Sequence, residues 1–317
     1  MDSLSPLWLL FAALLIDLYA GGWFQARSNF WLPRNLLRCL SEKLRSKLDR
    51  RERSTGTLLV RGVFGVCFML VVGAGAGASI HWILLSIPLG WVLELAIVTT
   101  LISIGKPWRD AVLLSSSLQL DSLENSRSVL RKLSDRDATY SDSSEITRLG
   151  IEAITAHLIV SLLGPILFYA FLGLPGILMY HSLRAMYPCH DASSEYLFFI
   201  KRLVTVLDWC LSWAGGILLL LAVLFTPFTS FEGALNQWRT FFSSGRKVKY
   251  GSAKLAIAGA LGITLEGPRH YALGRVERPY LGSGKAPLPT DLVLASKLIL
   301  IASALSAALV LACAIFL

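Results

Sequence analysis

Residues 134–187 read SDRDATYSDSSEITRLGIEAITAHLIVSLLGPILFYAFLGLPGILMYHSLRAMY, and this run decides the class of the protein. It opens polar, with Arg136 and Asp137, and turns apolar after Ile151. Asp142 and Glu145 have the spacing of a capping box, which satisfies the first unpaired amides of a helix and predicts a helix start there. Glu145, Arg148 and Glu152 follow at i, i+3 and i+7, so they share one helical face. Gly164-Pro165 and then Gly173 with Pro175 predict two interruptions before Tyr180-His181. A charged helical face thus runs into an apolar, membrane-length segment that Gly and Pro break.

The rest of the chain agrees with a membrane protein. Of its 317 residues 54% are hydrophobic and 16% charged, with a mean hydropathy of +0.59, more apolar matter than a soluble domain of this size requires. Six stretches qualify as spans, about 7–20, 58–85, 87–104, 151–179, 203–225 and 292–317. The first is short, contains Asp17 and has no basic leader, so it reads as an uncleaved anchor. The expectation is one all-α integral-membrane domain over 1–317: a polytopic helical bundle of five to six transmembrane helices with a broken span. Lys and Arg concentrate in 21–57, 105–150 and 226–291. With six spans these loops fall on one side, the cytoplasmic one by the positive-inside rule, in a multi-pass bacterial inner-membrane protein. The formal net charge of +9 is then a topology signal, and nucleic acid is not an expected partner.

Smaller features refine this picture. Leu36, Leu37, Leu40, Leu44 and Leu48 recur at helical spacing among Arg and Lys, as in a helix lying on the membrane surface or binding an anionic partner. Gly73, Gly75 and Gly77 predict a face on which another backbone comes close. Glu94 inside the third span reads either as a site residue or as a solvated boundary residue. Residues 253–265 form an apolar helix too short to span, followed by a Gly/Pro-rich loop. Gly282-Ser283-Gly284-Lys285 lacks the spacing and the hydroxyl of a phosphate-binding loop. The five histidines and five cysteines show neither metal-ligand nor disulfide spacing, so no metal site is read from them. His157 and His181 flank the broken span. Residue chemistry alone gives a membrane protein with a polar cytoplasmic face and leaves a salt-bridge row as an alternative to a site.

The order of these features resembles the adenosylcobinamide-phosphate synthase family of cobalamin biosynthesis, the CobD/CbiB family. The likeness is carried by Asp17-Leu18 with Gly21, by Arg136-Asp137, by Glu145, Arg148 and Glu152, by Pro165, Gly173, Pro175-Gly176 and Tyr180, and by Arg202-Leu203. Residues 256–262, Gly267-Pro268 and Tyr280-Leu281-Gly282 continue it. The resemblance implies an inner-membrane enzyme that joins aminopropanol or its phosphate to adenosylcobyric acid as an amide, using ATP and Mg2+. It implies Glu152, Asp137 and Asp17 as catalytic residues, with Glu152 or Asp137 holding Mg2+ or orienting the amine. Arg136, Arg148 and Arg202, with Tyr180, His157 and His181, are implied as substrate or phosphate contacts. Several polar positions of the family are changed here, among them Val204-Thr205 for paired Asp and Ala253-Lys254 for Pro-Glu. Two alternatives follow: a non-catalytic regulator or partner-binding relative like AmpE, without cofactor, and a corrinoid-binding or transport module built on the broken span. The bilayer is the expected partner, with a corrinoid substrate, a protein partner or a homo-oligomer left open.

Overall fold

The computed structural model describes residues 5–20, 33–49, 54–134, 139, 141–187, 194–243, 250–271, 274–276 and 279–316. The helices are α1 (Pro6–Ala20), α2 (Pro33–Leu48), α3 (Thr55–Leu85), α4 (Gly90–Leu101), α5 (Gly105–Gln119), α6 (Leu123–Leu133) and α7 (Ser143–His157). After a π-helical turn, Leu158–Leu163, come α8 (Gly164–Met186), α9 (Phe198–Leu224), α10 (Phe231–Ser243), α11 (Gly251–Leu261) and α12 (Pro289–Phe316). Five helical segments are long and apolar enough to cross a membrane: Thr55–Leu85, Gly90–Gln119, Ser143–Met186, Glu195–Leu224 and Pro289–Phe316. Pro6–Tyr19 is apolar but shorter. The protein is therefore an all-α, multi-pass membrane protein. Its chain forms two compact units: Met1–Ser103, Gly164–Asp208 and Leu309–Leu317 make one, Ile104–Leu163 and Trp209–Ala308 the other.

In the first unit α3 packs along α8 through glycines. A Cβ on Gly77 would lie 2.4 Å from Pro175 Cα, and one on Gly73 2.4 Å from Ser182 Oγ. Lipid supplies no hydrophobic drive for two apolar helices to associate, so close backbone approach at small residues has to hold them. A Cβ on Gly75, on the other side of α3, would meet nothing within 4 Å among the described residues. Gly77→Val is expected to destabilise the protein by about 1–3 kcal/mol through overpacking, and Gly75→Val to leave it nearly unchanged. Thermal unfolding of the two variants in detergent checks the contrast.

Two sequence expectations take a different form. Gly164-Pro165 does not break the helix. The wider π-helical turn comes just before it, within a helical segment that runs from Ser143 to Met186. The sharp break is at Gly173, with φ 62° and ψ −148°. The leucine stripe of α2 also faces protein: Leu40, Leu44 and Leu48 pack on a cluster that includes Met69, Met186 and Tyr196. Ser41 Oγ there donates to the Ala185 carbonyl at 2.8 Å.

In the second unit α5, α6 and α7 pack together through Leu114, Leu118, Leu130, Leu133 and Ile146, all buried. Trp108 Nε1 donates to the Ser296 carbonyl at 3.1 Å, which ties α5 to α12. Residues 251–260 of α11 are all buried. α10 approaches α11 where a Cβ on Gly259 would stand 2.3 Å from the Gly233 carbonyl oxygen. The predicted loop after α11 contains two short antiparallel pairs: β1 (Leu265–Glu266) with β4 (Tyr280–Leu281), and between them β2 (Arg269–Tyr271) with β3 (Gly274–Val276). Backbone pairing of this kind does not show in hydropathy.

Candidate functional site

The charged face of α7 starts as expected. The Asp142 carboxylate accepts from the Glu145 amide at 2.7 Å, which completes the N-cap half of the capping box. Arg148 Nη2 donates to Glu145 Oε1 at 3.3 Å and to the Pro268 carbonyl, also at 3.3 Å. Its guanidinium carbon lies 5.8 Å from the centre of the Tyr280 ring, within cation–π range. The Arg148 side chain is 12% exposed, and its Nε is buried with no hydrogen-bond partner among the described residues.

One turn further on, Glu152 is 1% exposed. Its Oε1 accepts from the Glu266 amide at 2.7 Å, and its Oε2 lies 3.6 Å from Lys254 Nζ. Lys254 Nζ also donates to Glu266 Oε1. Lys254 and Glu266 are each 2% exposed. Two residues of one helical face therefore grip one turn: Glu152 holds the amide of Glu266, and Arg148 holds the carbonyl of Pro268. That turn needs holding. Glu266 has φ 59° and Gly267 φ 87°, and a left-handed conformation at a residue other than Gly is strained by about 1–3 kcal/mol. Gly267 is required for a second reason, since a Cβ there would stand 2.4 Å from Tyr280 Cε1.

Chemically, α7, the turn and Tyr280 offer a partly exposed guanidinium beside an exposed aromatic ring, backed by buried charges. The guanidinium suits a carboxylate or phosphate. Mg2+ does not fit the Glu152–Glu266 pair as it stands, because the Lys254 ammonium already bridges the two carboxylates. Among the described residues no three His, Cys, Asp or Glu side chains converge as metal ligands. A cavity of about 610 Å³ elsewhere in this unit is lined by Phe228, Ser230, Asn236, Gln237, Gly262 and Ser283, among others. Among the described residues no charged side chain lines it.

The other residues expected at a site are distributed differently. Arg136 and Asp137 lie outside the described residues. His157 belongs to the second unit, where Nε2 donates to the Leu133 carbonyl at 3.2 Å and Nδ1 meets Ser161 Oγ at 3.2 Å. Asp17, Tyr180 and His181 belong to the first unit. There His181 Nε2 and Arg34 Nη2 both donate to the Leu101 carbonyl, at 3.1 Å and 3.2 Å. Burial pushes the Arg34 guanidinium below its ordinary value, and Tyr180 and Asp17 offset part of that shift. Arg184 Nε donates to Tyr180 Oη at 3.0 Å, and its Nη2 pairs with buried Asp208. Arg202 is exposed on α9.

Glu94 is buried and accepts from Tyr169 Oη at 2.8 Å, so protein rather than solvent satisfies it. Lys254, Glu266 and Arg34 were missed as site residues. Lys254 had a signal, being the one cation inside the apolar run 251–263. Glu266 had none, because only the fold brings it to Glu152.

A family model described as CobD/Cbib protein matches residues 10–299. The chain is similar to the cobalamin biosynthesis protein CobD of Photorhabdus laumondii subsp. laumondii, at 29% identity over 68% of this chain and 69% of that one. It is 27% identical to the protein of the same name from a Sinorhizobium species, over 76% and 77% of the two chains. A probable cobalamin biosynthesis protein CobD of Methanothermobacter thermautotrophicus is 31% identical over 59% of this chain and 64% of its own length. No solved structure matches the chain.

Proposed function

The chain belongs to the CobD/CbiB family, and from that premise we propose that it is an amide-forming synthase of cobalamin biosynthesis whose reaction takes place at the Arg148 face of α7. Its substrates are adenosylcobyric acid, aminopropanol or its phosphate, and ATP. A carboxylate is a poor electrophile. Its oxygen takes the terminal phosphoryl group of ATP as the P–O bond to ADP breaks; the amine nitrogen then forms the C–N bond as the acyl C–O bond breaks and phosphate leaves, and the amine gives up a proton. The partly exposed guanidinium of Arg148, held by the Glu145 carboxylate and the Pro268 carbonyl, carries the reading, because it supplies a fixed cation for a carboxylate or phosphate at the centre where charge develops.

Glu152 then acts as a positioning residue. It holds the turn at Glu266–Pro268 whose carbonyl fixes Arg148. Mg2+ does not fit the carboxylate pair behind it, and no step is assigned to it there. Tyr280, exposed over Arg148, offers a flat face to the corrinoid. We place the basic segments 21–57, 105–150 and 226–291 on the cytoplasmic side of the inner membrane, where ATP is available.

The test is a bacterial strain without its own synthase, grown with cobyric acid as the only corrinoid source. The wild-type chain is expected to restore growth, and Glu152→Gln, present in the membrane at the same level, to fail. Wild-type protein in the membrane without growth would refute the synthase reading.

A further inference from the structure

We propose that Lys254 is a built-in cation, whose ammonium occupies the place that a divalent metal takes between paired carboxylates. Glu152 and Glu266 send one oxygen each toward Nζ, and the other Glu152 oxygen is taken by the Glu266 amide. Two carboxylate oxygens converging on a buried centre are part of the ligand set of a hard divalent cation, which takes its remaining ligands from other oxygens such as water. Here the centre is filled by a group of the chain itself.

The position of the lysine argues that the carboxylates put it there. It lies in the first turn of α11, at the helix end whose dipole disfavours a cation. Its neighbours in the helix are Ala253, Leu255, Ala256 and Ile257, all buried and none able to pair with it. At 2% exposure no solvent screens the three charges. A tethered ammonium neutralises the pair at any metal concentration, and it cannot be chelated away. For the reaction it follows that any Mg2+ arrives on the nucleotide phosphates, a consequence that rests on the synthase reading. The cation assignment does not depend on it.

The test is Mn2+ binding to the purified full chain in detergent without nucleotide, followed by electron paramagnetic resonance. Wild type is expected to hold no Mn2+ that Glu152→Gln removes. Lys254→Ala, purified with Mn2+ throughout, is expected to bind one ion per chain, with an affinity about tenfold or more above wild type. Its unfolding temperature should rise with Mn2+. Both effects should vanish when Glu152→Gln is added. A Glu152-dependent Mn2+ in the wild type would overturn the proposal. So would folded Lys254→Ala that takes up none, or a Lys254→Ala that Mn2+ does not help to fold.

Discussion

Lys254→Ala, prepared without divalent metal, is expected to lose about 3–5 kcal/mol of stability, because it leaves an uncompensated buried charge pair. Glu152 and Glu266 are almost fully buried, and the lysine is what offsets their repulsion. Lost packing alone would act differently. Lys254→Met fills nearly the same volume and should be almost as damaging, whereas Lys254→Met combined with Glu152→Gln and Glu266→Gln should regain most of the loss. Such non-additivity is the signature of one charge network. Denaturation in mixed micelles, read by tryptophan fluorescence, measures it. Equal losses in the single and triple variants would mean that the three residues do not act as a network.

Arg148→Met is expected to lower kcat/KM for the anionic substrate by about 10- to 150-fold, since a hydrogen bond to a charged group contributes about 1.5–3 kcal/mol. Arg148→Lys should not restore it, because a compact ammonium lacks the planar fork that spans the Pro268 carbonyl and the Glu145 carboxylate while another edge faces a ligand. Tyr280→Phe keeps the ring over the guanidinium and should stay near wild type. Steady-state kinetics with each substrate varied in turn separates these cases. Unchanged kinetics in Arg148→Met would remove the reaction from this face.

How much of this was legible in the sequence varies by element. The start of α7 could be read because capping and charge spacing are local, and Asp142, Glu145 and Arg148 behave as their spacing predicts. Gly73 and Gly77 announced a close helix contact for the same reason. Glu152 was legible as a charged helical residue, but not its burial or its partners. Those come from α11 and β1, more than a hundred positions away. The spacing of Gly164-Pro165 misled because periodicity cannot tell a π-helical turn from an α-helical one. The leucine stripe of α2 has one pattern whether it meets lipid or protein, and only the fold supplies Met186 and Tyr196 opposite it.

The central claim is that this chain makes an amide bond and that Arg148 faces the reacting groups. The measurement that tests it most directly is product formation by purified protein in nanodiscs. The protein is given ATP, Mg2+, adenosylcobyric acid and either aminopropanol or its phosphate, and the corrinoid product is identified by mass. The account predicts the amide from the wild type with one of the two amines, and a rate lower by about 10- to 150-fold in Arg148→Met, in line with one charged hydrogen bond. Well-folded wild-type protein that consumes no ATP and yields no amide with either amine would contradict it.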